Sequence, residues 1–243
     1  MSGRVHRVLV RALAPGEMEL RGPEAHHLAN VLRVKPGEPV EAFDGEGNVA
    51  SGSVTGVTKQ SVSLSLSAVL PATSEARLRV TVAVALLKAD KLSDVVRQCT
   101  ELGAVRFALL TTQHADLASL SPARLLRLRR VAEEAARQSG RATVPVVEEP
   151  IALSELKWQG VGLMAHPEAH ESLGAVLAAA TAPAEDGRTE FTVITGPEGG
   201  FSRDEVDGLE ERGAHAVRFG PRILRAETAP VALTAALLLP AGE

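Results

Sequence analysis

The sequence predicts an α/β protein of two domains, a small β-rich one over residues 1–72 and a larger one over residues 73–243 in which strands and helices alternate. Three observations predict it. Val62, Leu64 and Leu66 alternate with Ser61, Ser63, Ser65 and Ser67, the two-residue period of a half-buried strand. Pro71-Ala72-Thr73-Ser74-Glu75 is a run of turn formers at which the pattern changes. Beyond it, short continuous apolar runs are separated by helical periodicities, the pattern of a parallel sheet covered on both faces.

In the first domain, strands are expected at residues 8–10, 40–43, 49–57 and 62–66. Asp44-Gly45 and Glu46-Gly47-Asn48 supply residues that tolerate positive φ at a reversal, and the set fits a small barrel. Ala25, Leu28, Ala29 and Leu32 recur at helical spacing until Lys35-Pro36-Gly37 stops them, which predicts one short helix over 24–33. In the second domain, strands are expected at 78–86, 105–111, 161–165, 191–195 and 216–219, with a short extended piece at 144–147. Helices are expected at 92–102, 122–138, 172–180, 203–212 and 230–239, the second of them capped by Ser121 with Pro122 at its first position.

Composition narrows the function classes. Hydrophobic residues at 45%, charged residues at 23% and a net charge of −4 describe a chain that buries a core, which excludes disorder as the default. The apolar run at 231–239, broken only by Thr234, falls short of the roughly 20 residues a bilayer crossing needs, so no membrane span is expected. Arg4, Arg7 and Arg11 interrupt the N-terminal apolar stretch and leave no signal-peptide core, so the cytoplasm is the expected compartment. The single cysteine, Cys99, forms neither an internal disulfide nor a multi-cysteine metal site, and no metal is expected. Charge is uneven: residues 1–35 carry +3, residues 88–141 carry +4 and residues 142–243 carry −9. Aromatic residues at 2%, with no tyrosine, weigh against a base-stacking platform, so most of any RNA binding falls to arginines.

The strongest local feature runs from Phe191 to Glu205: a buried strand, the turn Gly196-Pro197-Glu198-Gly199-Gly200, and a helix opened by Ser202 and Glu205 in capping-box spacing. Glycines there let backbone approach a bound molecule, and open α/β sheets bind ligands at the carboxyl ends of their strands. No Lys-Ser/Thr follows the glycines and no dinucleotide pattern is present, which disfavours nucleotide triphosphates. A carboxylate in the turn, Glu198, repels phosphate and suits a cationic or neutral ligand. A glycine-rich turn with a solvated Glu198 fits the same residues. A second glycine-proline loop, Gly220-Pro221-Arg222-Ile223-Leu224-Arg225-Ala226-Glu227-Thr228-Ala229, enters an all-apolar helix, and a third strand ends in Met164-Ala165-His166-Pro167. Arg222, Arg225 and Glu227 on this loop either serve a ligand or pair, arginine with glutamate.

The two glycine-proline loops resemble the paired signature of the small-subunit ribosomal RNA uracil-N3 methyltransferases, the RsmE family within the SPOUT methyltransferases. His27-Leu28-x-Asn30-Val31-Leu32-Arg33, Phe43-Asp44-Gly45, Lys88 with Asp90-Lys91, Gln98 to Gly103, and Glu134-Ala-Ala-Arg137-Gln-Ser-Gly-Arg141 before Val144-Pro145 resemble family segments in the same order, so the likeness covers essentially the whole chain. Ala226 stands where the family pattern has a threonine, and Pro230 where it has a small helix former.

The resemblance implies a PUA-like β-barrel that helps hold RNA, followed by a SPOUT α/β domain whose C-terminal chain forms a trefoil knot. It implies S-adenosyl-L-methionine as methyl donor, a homodimer with the active site at its interface, and 16S ribosomal RNA, within a small ribosomal subunit, as substrate. Carried over by position, the cofactor cradle is Leu163, Met164 and His166, then Thr195, Gly196, Pro197, Glu198, Gly199 and Gly200, then Phe219, Gly220, Ile223, Leu224, Arg225, Thr228 and Ala229. The expected catalytic set is Arg225, stabilising a uracil oxygen, with Glu227 or Glu198 receiving the imide proton. Expected RNA contacts are Arg4, Arg7, Arg11, Arg33 and Lys35 in the barrel, Arg137 and Arg141 in the second domain, and Arg222. Two other classes remain open on the sequence: an RNA-binding assembly factor that has lost the reaction, and a nucleotide-binding oxidoreductase or phosphotransferase.

Overall fold

The computed structural model describes residues 5–76, 78–88, 90–179, 189–218 and 220–239, so Arg4 and Phe219 lie outside the described residues. The chain forms two units: one holds the residues up to Glu75 together with Ala136–Val144, the other holds Ala76–Ala135 and the residues from Pro145 onward.

The first unit is built on β1 (His6–Leu9), β2 (Gly16–Arg21), β3 (Pro39–Phe43), β4 (Asn48–Val57), β5 (Ser61–Leu66) and β6 (Leu70–Pro71). The strand path is β1-β3-β4-β5-β2, with β6 beside β4, and only the β1–β3 pair is parallel. Among the described residues the path ends on β1 and β2 rather than closing on itself. The alternation in β5 works as expected: Val62, Leu64 and Leu66 join Val8, Leu28, Val40 and Val54 in one apolar core. Strand β2 carries little sequence signal because only Leu20 of its six residues is fully buried. The single helix expected over 24–33 is instead one turn of α-helix, α1 (Pro23–His26), that widens into a π-helix over His27–Leu32. It stops at Arg33, whose φ of 55° is left-handed. Apolar spacing marks a helix but does not distinguish an α turn from a π turn.

Ala136–Val144, grouped by sequence with the second domain, belongs to this first unit. The Gly47 and Val144 amides donate to Ala142 O and Gly45 O, and Glu75 accepts from the Ala142 and Thr143 amides at 3.2 and 3.0 Å.

The second unit is an all-parallel sheet of β7 (Arg79–Ala85), β8 (Arg106–Thr111), β9 (Val146–Val147), β10 (Ile151–Ala152), β11 (Val161–Ala165), β12 (Glu171–Ser172), β13 (Glu190–Thr195) and β14 (Ala214–Arg218). Its order is β10-β8-β7-β13-β11-β14-β12, with β9 beside β8. The helices are α2 (Lys91–Leu102), α3 (Pro122–Ser139), α4 (Leu173–Ala179), α5 (Arg203–Glu211) and α6 (Thr228–Leu238). Both sheet faces are covered. Val80, Val82 and Val84 of β7 pack with Val95 and Val96 of α2 and Leu233 and Leu237 of α6, while Ala83 packs with Ala108, Leu110 and Leu209 of α5 on the other face. Helix α6 begins two residues earlier than expected, because the Thr228 and Ala229 amides both donate to Arg225 O and Pro230 needs no donor partner in the first turn. Among the described residues no helix is long and apolar enough to cross a membrane.

Candidate active site

Strands β7 and β13 are neighbours in the sheet, and the helices that follow them pack on opposite faces: α2 with the core that holds α6, and α5 with the other. Such divergence opens a crevice beyond the carboxyl ends of the two strands. A cavity of about 1340 Å³ lies beyond the carboxyl ends of β13 and its other neighbour β11, walled by them, by one side of α5 and by the loop leading into α6, with Lys91 of α2 also lining it. This exceeds the roughly 300–1,000 Å³ of an ordinary small-molecule pocket.

The sequence builds this rim locally. After β13 the chain turns at Pro197-Glu198-Gly199-Gly200, closed by the Gly200 amide donating to Pro197 O at 2.9 Å, with Gly200 at a φ of 73° that favours glycine. Ser202 then caps α5 in the expected reciprocal fashion: its hydroxyl accepts from the Glu205 amide at 3.3 Å, and Glu205 accepts from the Ser202 amide at 2.8 Å. Gly199 is required by contact, because a Cβ there would stand 3.0 Å from His114 Cβ and 3.1 Å from His114 O. Thr195, 1% exposed at the end of β13, lines the cavity, and its Oγ1 has no hydrogen-bond partner in the protein. A buried hydroxyl left open in this way is a group awaiting a ligand or water.

Lys91, the first residue of α2, binds both acids that the sequence singles out. Its Nζ lies 3.0 Å from Glu198 Oε1 and 3.4 Å from Glu227 Oε2. The second contact is an ion pair without hydrogen-bond alignment, since Glu227 Oε2 is buried and otherwise unpartnered. Partial burial works to raise the Glu198 pKa, but the backbone amides of Glu198 and Lys88 and the Lys91 ammonium outweigh it and hold this carboxyl below its ordinary range. Lys91 is pushed up, first by its hydrogen bond to Glu198, against some desolvation, with Glu227 adding to the effect. Glu198 is therefore a fixed anion, poorly suited to taking up a proton. Neither glutamate pairs with Arg225, as one reading of the sequence allowed. Arg225 is exposed at the cavity wall and, among the described residues, has no ion-pair partner.

Of the expected cradle, His166, Thr195, Gly196, Pro197, Glu198, Gly200, Ile223, Leu224, Arg225 and Ala229 line the cavity, and so does Glu227. Leu163 and Met164 do not. Successive residues of a strand point to opposite faces, and these two are fully buried in the two cores on either side of the sheet. Gly199 faces His114, and Gly220, Arg222 and Thr228 lie off the cavity wall. Lys91 is the site residue sequence reasoning missed. Its only signal was its place in the Lys88-x-Asp90-Lys91 segment, since its partners lie more than a hundred residues further on.

Three of the arginines expected to meet RNA are turned toward internal carboxylates within the first unit. Arg7 pairs with Glu41 at 2.8 Å, donates to Arg141 O at 3.1 Å and lies over the Phe43 ring. Arg137 pairs with Glu24 at 3.1 Å and Arg141 with Glu75 at 2.8 Å. Arg11, Arg33 and Lys35 are exposed in the same unit. Among the described residues no group of three or more His, Cys, Asp or Glu is placed to hold a metal ion.

Comparison with known proteins agrees with this geometry. A family model described as an RNA methyltransferase domain matches residues 74–238, and one described as an RNA methyltransferase PUA domain matches residues 20–67. The chain is 33% identical over 217 residues to Ribosomal RNA small subunit methyltransferase E of Synechocystis sp., covering 85% of this chain and 68% of that protein. It is 35% identical over 224 residues to the protein of that name from Mycobacterium bovis, covering 86% and 80%. The crystal structure of a ribosomal RNA small subunit methyltransferase E from Neisseria gonorrhoeae bound to S-adenosyl methionine matches with a TM-score of 0.86 at 26% identity, over 98% of this chain and 99% of that one. The likeness read from the two glycine-proline loops is borne out along the chain, which belongs to the ribosomal RNA small subunit methyltransferase E family of RNA methyltransferases.

Proposed function

We propose that this chain transfers the methyl group of S-adenosylmethionine to N3 of a uridine in 16S ribosomal RNA, in the cytoplasm and as a homodimer. In this reading, residues 1–72 form the RNA-holding domain, and residues 73–243 form a SPOUT methyltransferase domain whose C-terminal chain is knotted. The observation that carries it is the cavity beyond β11 and β13, lined by carboxylates, an open Thr195 hydroxyl and the exposed Arg225. Ile223, 82% exposed on the Arg222–Arg225 loop, is an apolar side chain that a partner subunit would cover.

The residues present fit the methyl donor. Six carboxylates line the cavity (Glu168, Glu171, Glu198, Asp207, Glu210 and Glu227) against Lys91, Arg203 and Arg225, which suits a ligand of net positive charge and opposes a polyphosphate. Thr195 Oγ1 and the backbone of the Gly196–Gly200 turn supply the neutral hydrogen-bonding groups an adenosyl moiety needs. When bound, S-adenosylmethionine supplies an electrophilic methyl group.

The rest of the chemistry falls to the protein. Holding two reactants in line contributes on the order of 7–11 kcal/mol to such a transfer. Neutral uracil offers no lone pair at N3, so the imide proton must leave. Arg225, which among the described residues has no carboxylate partner, donates to a uracil oxygen and stabilises the charge that develops there. Glu227 receives the proton: its Oε2 is buried at the cavity wall without an aligned hydrogen bond, whereas Glu198 is locked in its ionised form. Glu198 clamps the turn.

Mass spectrometry of small-subunit ribosomal RNA from cells with and without the gene tests the reading; a uridine that gains an N3 methyl group only when the protein is present supports it, and identical RNA overturns it. Arg225→Ala, assayed on that RNA, lowers turnover by roughly 10²–10³ while the dissociation constant of S-adenosylmethionine stays within about threefold.

A further inference from the structure

Among the described residues, Lys91 is the one lysine or arginine in contact with both acids of the site, and its position is fixed by the fold. Leu86 and Leu87, buried at 1% and 0%, anchor the chain as it leaves β7, and the Leu86 amide donates to Leu110 O at 2.9 Å. The Lys91 amide donates to Lys88 O at 3.3 Å, and Leu92, Val95 and Val96 seat the first turns of α2 in the core. The ammonium thus reaches two segments that approach from different strands: the turn after β13, through Glu198, and the start of α6, through Glu227. All three side chains line the cavity.

Two carboxylates and one ammonium leave this cluster with a net charge of −1. We infer that Lys91 is a positioning residue that limits this charge, and so sets how strongly the cavity prefers the singly positive sulfonium donor over the neutral thioether left after transfer. The inference rests on the methyltransferase reading above. Without Lys91 the same two carboxylates present −2, and electrostatic preference for the cationic ligand grows. Without Glu227 the cluster falls to zero, and that preference shrinks. A lysine that served only as a brace between two loops would, on removal, weaken both ligands alike.

The test is the ratio of dissociation constants for S-adenosylhomocysteine and S-adenosylmethionine, measured by titration calorimetry on the full chain. Lys91→Met raises that ratio by roughly tenfold relative to wild type, and Glu227→Gln lowers it by a similar factor. Lys91→Arg, which keeps the charge, holds it within about twofold. Raising salt compresses the difference between the variants. Should Lys91→Met fail to fold, Glu227→Gln and Lys91→Arg still decide the matter. A ratio that is the same in all the folded variants overturns the charge role and leaves the methyltransferase reading standing. Wild-type protein that binds neither adenosyl compound overturns that reading, and this inference with it.

Discussion

The guanidinium of Arg141 lies 2.8 Å from the carboxylate of Glu75, and the other Glu75 oxygen accepts from the Ala142 and Thr143 amides. The Arg141 side chain is 5% exposed and that of Glu75 22%, so one half-buried carboxylate ties a returning segment, distant in sequence, into the first unit. Removing a partner from a buried pair leaves the desolvated charge without it, at a cost of about 3–5 kcal/mol. Glu75→Ala therefore lowers stability by about that amount in urea denaturation; a loss under 1 kcal/mol would show that the pairing is incidental.

That pair also marks where the sequence stops being informative. Charge counting flagged Arg7, Arg137 and Arg141 as cations free to meet RNA, but their partners Glu41, Glu24 and Glu75 lie 34, 113 and 66 residues away, and no local pattern links them. The same holds for Lys91 and Glu198. What was legible was local: the turn after β13 and the Ser202–Glu205 capping box are each written in a dozen residues or so and fold as read, and the loop into α6 differs in that the helix begins two residues early. Strand β2 and the π-helical turn at His27–Leu32 were missed for a related reason. One has a single buried residue, and the other shares its apolar spacing with an ordinary helix.

Gly199 supplies a prediction about the turn alone. A methyl group there meets His114 Cβ at 3.0 Å and His114 O at 3.1 Å, closer than ordinary van der Waals contact. Relief requires moving backbone, and overpacking of this kind costs about 1–3 kcal/mol. Gly199→Ala should lower Tm and displace the turn that carries Glu198, weakening S-adenosylmethionine binding more than tenfold by calorimetry. Gly174→Ala, inside α4 with no atom within 4 Å of an added Cβ, is the control: it lowers neither Tm nor S-adenosylmethionine affinity.

Cys99 gives a test of the α2–α6 packing. Burial pushes its thiol up to about 12, against a small opposing effect from the Thr234 hydroxyl, whose Oγ1 lies 3.7 Å from Sγ. At pH 8 the thiolate fraction is then roughly one in ten thousand, and the thiolate is the species that reacts. A disulfide reagent should leave the native protein unlabelled for hours and react with one thiol per chain once urea is added. Rapid labelling of the native chain would mean that α6 opens readily from the core.

The acid side of the stability profile depends on Glu198. Its ordinary pKa is 4.5 and its folded value is lower, so the folded state holds fewer protons at this site than the unfolded chain between those two values. The ionised carboxylate stabilises the fold fully above pH 4.5, and that contribution is lost as pH falls through the lowered folded value. Glu198→Gln has no such group to titrate. Thermal melts from pH 7 to pH 3 should show the Tm difference between wild type and Glu198→Gln constant at the upper end and shrinking below about 4.5. A difference that stays constant down to pH 3 would mean that Lys91 and the Lys88 amide do not hold this carboxylate, and the clamp assigned to Glu198 would have to be given to other residues.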